Sequence, residues 1–350
     1  MTTSIPTTTP IDPPSEAGTS GLPASMLAAR RDRYGSADVV RVERAALPPV
    51  GAGRVLVRVA AGGLDRGTWH LLAGRPYAVR LATGLRRPRT PGLGRELAGV
   101  VVAVGPDVTR FAVGDAVFGI GDGALAEYAV APEQKLALAP AGVALAEAAT
   151  MPISGMTALQ AVDAARVTAG STVLVIGASG GVGSHAVQLA KARGATVTGV
   201  CRAAKADFVR SLGADRVVAY DEPGQDPFGE RYDAIIDTGG NTPVRMLRGA
   251  LTSRGALAIV GGEGGGAVTG MGRQLHAVLL SPFVRQRLTF ILNRERLADL
   301  ERLRDLVERG AIAPRVDRTY PLAAAANAIR RLEAGEVQGK LAVVASGEAS

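Results

Sequence analysis

The sequence is poor in cysteine, histidine and aromatic residues. Its 350 residues include one cysteine, Cys201, and three histidines, and aromatic residues make up 4% of the chain. A single cysteine excludes a disulfide framework, and one cysteine with three scattered histidines argues against a zinc site. No apolar run approaches the roughly 18 residues that a membrane-spanning helix needs, so we expect no membrane partner.

The net charge is +8, and arginine rather than lysine supplies most of the basic residues. Lysine and arginine total 40 against 32 acidic residues, and only four of the 40 are lysines. The basic residues concentrate in 80–95 and 285–309, and in the second range acidic residues interleave at helical spacing, which is typical of a solvated helix face. Neither range carries the aromatic residues of a base-stacking surface, so the charge does not indicate nucleic-acid binding as a main role.

The first 25 residues are rich in threonine, proline and serine and contain no basic residue. This composition fits neither a signal peptide nor a transit peptide. It cannot bury enough apolar surface to offset the entropy of ordering, so we expect a disordered tail at 1–25 and a cytoplasmic protein.

After the predicted tail, the pattern of predicted strands and helices changes once, near residue 150. Short β-favouring runs separated by glycine and proline predict a mostly antiparallel barrel or sandwich over 26–150. Strands alternating with helices predict a doubly wound parallel sheet over 151–310, and the segment 311–350 is expected to return to the first domain. The strands predicted most clearly are 55–61, 97–104, 116–118, 124–130, 172–176, 196–201, 216–219, 232–237, 256–260, 288–292 and 341–344.

A glycine-rich loop joins the strand 172–176 to an amphipathic helix at 181–193. Against the pattern G-x-G-x-x-G, Ala178 takes the first glycine position, and Gly180 and Gly183 take the others. This setting predicts a dinucleotide pyrophosphate at the helix N-terminus, and the alternative is a glycine-rich turn without a ligand. The predicted contacts are Ser179, Gly180, Gly181, Val182 and Gly183.

The next strand ends without the carboxylate that would bind the ribose of NAD. It ends at Cys201, Arg202 follows, and Lys205 comes three residues later. Two cations suit the additional phosphate of NADPH, so we predict NADPH rather than NADH as the cofactor. The alternative is that both cations are ordinary surface charges at a helix start.

The segment 94–99, with Gly105, Val108 and Gly114, resembles the medium-chain dehydrogenase/reductase superfamily. Zinc alcohol dehydrogenases of that superfamily carry a histidine zinc ligand where this chain has Arg95. Their first cysteine ligand falls near Asp65. Arginine has no lone pair to donate, so the chemistry of this position excludes a catalytic zinc.

The zinc-free branch, the NADPH:quinone reductase group, is more similar. The resemblance covers residues 33–345 and implies a GroES-like catalytic domain, a Rossmann domain and a homodimer. The segments that carry it are 69–77, 177–183, 211–215, 260–266, 281–284 and 339–340.

The resemblance also implies positions around the cofactor. It places Thr157 near the nicotinamide, although this residue also reads as a helix-interior threonine. It places Tyr220 along the adenosine phosphate and Lys340 beside the cofactor. Cys201, the last residue of its strand, is also one of these predicted cofactor positions. We interpret it as a small buried residue rather than a nucleophile. The glycine-containing turns after the fourth and fifth parallel strands complete the predicted cofactor site: Thr238, Gly239, Gly261 and Gly262.

Three residues are candidates for the chemical step. Tyr77 is the candidate proton donor or substrate-orienting phenol, and Trp69 is a candidate wall of the cleft or a core residue. Asp65 stands where the branch commonly has asparagine, and its alternative role is to cap a turn.

The resemblance implies a zinc-independent reductase that transfers hydride from NADPH to a quinone or an α,β-unsaturated carbonyl. One alternative is a dedicated reductase of a biosynthetic, polyketide-like ketone or enone, which the aspartate at position 65 motivates. The other is a non-catalytic NADPH-binding protein on the same fold.

Overall fold

A computed structural model of the chain describes residues 21–261 and 272–345. The strands in these ranges are β1 (Ser25–Arg30), β2 (Arg41–Ala46), β3 (Arg54–Leu64), β4 (Glu96–Val104), β5 (Ala116–Ile120), β6 (Tyr128–Pro132), β7 (Leu136–Leu138), β8 (Thr172–Ile176), β9 (Thr196–Cys201), β10 (Arg216–Ala219), β11 (Tyr232–Asp237), β12 (Leu251–Ile259), β13 (Arg287–Phe290), β14 (Val316–Pro321) and β15 (Lys340–Val344). The helices are α1 (Arg66–Ala73), α2 (Val79–Thr83), α3 (Leu145–Ala148), α4 (Pro152–Ala164), α5 (Gly181–Ala192), α6 (Ala206–Ser211), α7 (Val244–Gly249), α8 (Gly272–Leu280), α9 (Leu297–Glu308) and α10 (Ala325–Glu333).

Six strands form a fully parallel sheet in the order β10-β9-β8-β11-β12-β13. The central strand β8 pairs with β9 on one side and with β11 on the other. The strands β9 and β10 therefore extend the sheet on one side of β8, and β11 to β13 extend it on the other, so the strand order reverses at β8. This is the strand order of a Rossmann fold, and the reversal point is where such sheets bind ligands.

The second large sheet is mainly antiparallel and runs in the order β14-β15-β3-β4-β5-β7, with β6 paired to β3. Its strand β15 comes from the end of the chain and lies between β14 and β3, where Leu341 is opposite Leu64. The first part of the chain and its C-terminal segment therefore share one sheet. The predicted fold class, a GroES-like sheet domain with a Rossmann domain, is confirmed.

The core that joins the two sheets contains α4, α5 and α9. Met156 and Leu159 of α4, Val187 of α5 and Leu303 of α9 are at most 2% exposed and belong to one apolar cluster with β8. Because β8 is covered by helices on its faces, its last four residues are all buried, as expected for the middle of a parallel sheet. The cluster fixes the end of β8 and the start of α5 relative to each other.

The predicted strands 172–176, 196–201, 216–219 and 232–237 coincide with β8 to β11. The chain after β9 forms a short 3-10 turn followed by α6, and the predicted strand 124–130 begins only at Tyr128. Residues 1–20 of the predicted tail lie outside the described ranges, and Ser25 already begins β1.

The predicted strand 55–61 stops before Gly62 and Gly63. In the structure these glycines lie inside β3 and pair with β15 and β4. A Cβ on Gly63 would clash with the carbonyl oxygen of Ala149. Glycine serves close packing here rather than a turn, because the segment before α4 crosses directly over the strand.

None of the helices in the described ranges is both long enough and apolar enough to cross a membrane.

Candidate active site

A cleft of about 780 Å³ opens at the carboxyl ends of β8, β9 and β11. Its walls come from both sheets, since α1 and the start of β15 face the parallel strands across it. It therefore lies at the reversal point of the parallel sheet, where doubly wound folds bind their ligands. The sequence-predicted residues that line it are Asp65, Ser179, Gly180, Gly181, Val182, Cys201, Arg202, Lys205, Tyr220, Thr238, Gly239, Gly261 and Lys340.

The glycines of the loop have two different roles. A Cβ on Gly183 would clash with the carbonyl oxygen of Gly177, so glycine there lets α5 pack against the loop. A Cβ on Gly180 would meet only that same oxygen, at 3.5 Å, and Gly180 lines the cleft. Gly177 itself has a φ of +78°, which favours glycine. The missing side chain at Gly180 thus leaves room for a ligand rather than for packing.

The N-terminus of α5 faces this room without a cap. Gly180 is the N-cap residue, and no side chain bonds to the first amide groups of the helix. Uncapped amides and the positive end of the helix dipole favour a phosphate at this point. The residues present therefore fit the pyrophosphate of a dinucleotide cofactor.

Two cations follow β9 at the rim of the cleft. Nε of Arg202 donates to the hydroxyl of Tyr220 at 2.9 Å, and the arginine is otherwise exposed. Nζ of Lys205 donates to the carbonyl oxygens of Gly335 and Val337 at 2.7 and 2.8 Å, and burial lowers the pKa of this lysine. Lys205 therefore ties the start of α6 to the loop after α10, while Arg202 remains an exposed cation beside the cleft.

A buried ion pair lies beneath the cleft. Nζ of Lys340 donates to Oε2 of Glu96 and, at 3.2 Å, to Oγ of Ser154, and both charged side chains are at most 1% exposed. The other oxygen of Glu96 accepts the amide hydrogen of Ile153 at 2.7 Å. Burial raises the pKa of Glu96 to about 7, and the charge of Lys340 opposes this rise. The pair joins β15, β4 and α4 under the phosphate loop.

Asp65 begins α1 and faces the cleft. Its Oδ1 accepts the backbone amide of Thr68 at 2.7 Å and the hydroxyl of the same residue at 2.8 Å, and the residue is 8% exposed. The carboxylate is therefore both the N-cap of α1, as the alternative interpretation has it, and part of the cleft wall.

Two of the predicted catalytic residues have other surroundings. Nε1 of Trp69 donates to Oε1 of Glu333 at 3.1 Å, so the indole faces α10. Tyr77 is 43% exposed, and the guanidinium of Arg80 lies 4.9 Å from the centre of its ring. Neither Trp69 nor Tyr77 lines the cleft in the described part of the chain, and their catalytic roles stay predictions.

Three predicted cofactor contacts need separate description. Oγ1 of Thr157 donates to the carbonyl oxygen of Ile153 at 2.6 Å inside α4, and Thr157 does not line the cleft. Cys201 is buried, and burial raises the pKa of its thiol to about 11, so it stays protonated. Gly262 lies outside the described residues.

The turns after β11 and β12 meet at the cleft. Oγ1 of Thr238 donates to the carbonyl oxygen of Ile176 at 2.8 Å, which joins the ends of β11 and β8. A Cβ on Gly261 would lie 2.6 Å from the carbonyl oxygen of Thr238. The turns can approach each other this closely because a glycine follows β12.

Sequence reasoning assigned no role to several residues of the site. Glu96 was noted only as part of a motif, and no local signal shows that it pairs with Lys340, 244 residues away. The aromatic ring of Phe228 sits in an irregular loop that no periodic pattern marks. The additional lining residues include Arg66, Gly67, His70, Ile153, Phe228, Asn241, Thr242 and Gly339.

The position of the family's zinc ligand holds a second ion-pair cluster. Nη2 of Arg95 lies 2.7 Å from Oε1 of Glu295, and Nζ of Lys135 lies 2.6 Å from its Oε2. Within residues 21–261 and 272–345, no group of three or more histidine, cysteine or acidic residues could hold a metal ion. A guanidinium donates hydrogen bonds only, so these residues do not fit a catalytic zinc.

Two protein-family models match the chain. Residues 51–141 match the alcohol dehydrogenase GroES-like domain, and residues 212–343 match a family described as zinc-binding dehydrogenase. The first match covers most of the antiparallel sheet, and the second begins directly after α6 and ends within β15.

Curated relatives and solved structures match over most of the chain. The chain is 33% identical over 313 residues to the chloroplast envelope quinone oxidoreductase homolog of Arabidopsis thaliana, covering 85% of this chain and 91% of that protein. It is 30% identical over 339 residues to the NADPH-dependent alkenal/one oxidoreductase of the same plant, covering 92% and 80%. The quinone oxidoreductase structure from Coxiella burnetii superposes with a TM-score of 0.81 at 25% identity, covering 92% and 100%. The chain therefore belongs to the medium-chain dehydrogenase/reductase family, in its quinone oxidoreductase-like branch.

Proposed function

We propose that the chain is a zinc-independent, NADPH-dependent reductase of quinones or α,β-unsaturated carbonyl compounds. The observation that carries the proposal is the uncapped N-terminus of α5 in a cleft at the reversal point of the parallel sheet. The relatives named quinone oxidoreductase and alkenal/one oxidoreductase support this acceptor class.

Independence from zinc rests on the donor set. Arg95 occupies the position of the histidine ligand and is held by Glu295. Asp65, near the position of the first cysteine ligand, is engaged with Thr68. Activation of the acceptor therefore falls to hydrogen bonding and positioning by the protein.

Bound NADPH supplies the hydride, and the chain's own residues position the reactants. Asp65 is the predicted catalytic residue that lines the cleft, and we propose that it orients the acceptor beside α1. An Asp65→Asn variant keeps an oxygen that can cap α1. We expect it to change the KM of the acceptor while the Kd of NADPH stays the same, as fluorescence titration would show.

The preference for NADPH over NADH is assigned to Arg202. Arg202 is an exposed residue that lines the cleft, whereas Lys205 is already bonded to two carbonyl oxygens. In an Arg202→Ala variant we expect the Kd of NADPH to rise roughly tenfold, an effect of about 1.4 kcal/mol, with little change for NADH. Arg210→Ala is the matched control, because Arg210 pairs with Asp207 away from the cleft. Equal effects on both cofactors would contradict the assignment.

Activity is tested by following NADPH absorbance with panels of quinones, enones and saturated ketones. Oxidation with quinones or enones supports the proposal. Turnover restricted to one complex ketone or enone would point to the dedicated biosynthetic reductase, and tight binding of NADPH without oxidation would point to the binding protein. The relatives' names favour neither alternative.

We also propose a homodimer formed through the edge strand β13. Among the described residues this strand ends the parallel sheet, and an edge strand presents backbone groups with which a second copy can pair. Leu279 and Phe283 near this edge are 63% and 84% exposed, which is unusual for large apolar side chains unless they are covered by a partner. Light scattering should give twice the chain mass, and a Leu279→Glu/Phe283→Glu double variant should give the monomer mass. A wild-type monomer would refute the dimer.

A cytoplasmic location stays a proposal, and the two Arabidopsis relatives are named for the chloroplast. Fractionation of cells that produce the full chain tests it, with recovery in a membrane or organelle fraction as the contrary result.

A further inference from the structure

A second cavity, of about 440 Å³, lies beside the cleft in the antiparallel part of the molecule. Helix α1 separates the two spaces. Asp65 and His70 line the cleft, whereas Thr68 and Leu71 line the second cavity. Its volume is within the range of small-molecule sites.

The side chain that distinguishes this cavity is Arg31, which follows β1. It is only 6% exposed, and its Nε and Nη1 have no hydrogen-bond partner among the described residues. No carboxylate within residues 21–261 and 272–345 forms an ion pair with it, and its guanidinium carbon lies 5.6 Å from the centre of the uncharged Tyr34 ring. Burial lowers the pKa of this arginine, because the lost hydration of the cation outweighs the stabilising effect of Tyr34.

A buried, unpaired guanidinium is costly, since removing an ion from water costs several kcal/mol unless a counter-charge restores the interaction. An acidic residue beside Arg31 would supply this counter-charge. Asp122 lines the same cavity, but its carboxylate is 73% exposed and pairs with Arg54 at 3.3 Å. The counter-charge for Arg31 is therefore left to a molecule from outside.

The remaining lining defines the class of that molecule. Arg95 adds a second guanidinium to the wall, and its Nη2 is held by Glu295. Leu71 and Leu93 supply apolar surface for a small organic body. A planar carboxylate matches the planar donors of arginine better than it matches any other side chain. We propose that this cavity binds a small organic carboxylate, with Arg31 as its counter-charge.

The carboxylate has two possible sources: a free organic acid, or the acidic end of an acceptor that reaches around α1 from the cleft. The second source rests on the function proposed above, and the first does not. Two experiments separate them.

The first experiment is calorimetric titration of the full chain with benzoate, cinnamate and hexanoate, each compared with its amide. We expect at least one acid to bind where its amide does not, and Arg31→Met to weaken that binding tenfold or more. Arg33→Met is the control, because Arg33 is exposed and outside the cavity. Methionine keeps the apolar volume, so the variant should fold, and thermal unfolding checks this. The proposal is overturned if no acid binds better than its amide or if Arg31→Met binds as the wild type does.

The second experiment compares an enone that carries a carboxylate with its methyl ester as acceptors for NADPH oxidation. If the acceptor supplies the carboxylate, the acid has the lower KM in the wild type and loses this advantage in Arg31→Met. If a free acid is bound, the two acceptors have similar KM values while the titration still shows binding. Failure of both acceptors would count against the proposed function alone, because the titration does not depend on turnover.

Discussion

His185 is buried inside α5 directly under the phosphate loop. Its Nδ1 bonds to the carbonyl oxygen of Gly181 at 2.9 Å, its Nε2 has no partner, and burial lowers its pKa from 6.5 to about 4. Between these pH values the unfolded chain binds a proton that the folded chain does not. The free energy of unfolding should therefore fall as the pH drops from 6.5 to 4, by roughly 3 kcal/mol.

Denaturant unfolding at several pH values measures this effect. In a His185→Asn variant, which keeps a donor for the carbonyl oxygen of Gly181, the loss over this pH range should shrink. His276→Asn is the control, because His276 is exposed. Identical pH profiles for the wild type and His185→Asn would show that His185 is not the titrating group.

Single residues also mark the limit of what the sequence predicts. Arg202 was identifiable because a cation after the second strand of a nucleotide fold has a local meaning. The partnership of Lys340 with Glu96 and the unpaired state of Arg31 have no local sign. Both depend on which side chains the fold brings together, or fails to bring together, across long stretches of chain.

At the scale of elements, two glycines of the loop between β8 and α5 should affect different properties. Gly183 should matter for the stability of the fold, and Gly180 for the binding of NADPH. Gly183→Ala should lower the free energy of unfolding by about 1–3 kcal/mol, because its Cβ would clash with backbone. Gly180→Ala should fold normally, with a φ of −84° and open space, yet raise the Kd of NADPH roughly tenfold. Thermal unfolding without ligand and NADPH titration give the two readouts. If a Gly180→Ala variant binds NADPH normally, the phosphate does not bind at this position.

The parallel strands were predictable because they contain apolar runs bounded by turns, such as 173–176 in β8 and 234–236 in β11. The strand β3 was predicted too short. Its last residues include Gly62 and Gly63, whose meaning depends on a crossing segment rather than on neighbours in sequence. Local patterns report local conformation, and close packing between distant segments is invisible to them.

At the scale of the whole molecule, β15 has partners on both sides, β14 and β3. A chain that stops before Lys340 would leave both neighbours open and Glu96 buried without its counter-charge. We expect this truncation to abolish cooperative unfolding, as monitored by circular dichroism. A chain that stops after Ala345 keeps β15 and should unfold cooperatively. Cooperative unfolding of the shorter chain would mean that the sheet does not depend on β15.

The interior position of β15 also sets an order of events during synthesis. The edge of β3 that receives β15 is made before the parallel sheet, whereas β15 is made after it. The parallel sheet in between can form while translation continues, since domains fold as units during synthesis. The antiparallel sheet must wait with an open edge until β15 has been made. The buried ion pair beneath the loop between β8 and α5 is therefore completed only when β15 brings Lys340 to Glu96, after the parallel sheet has been made.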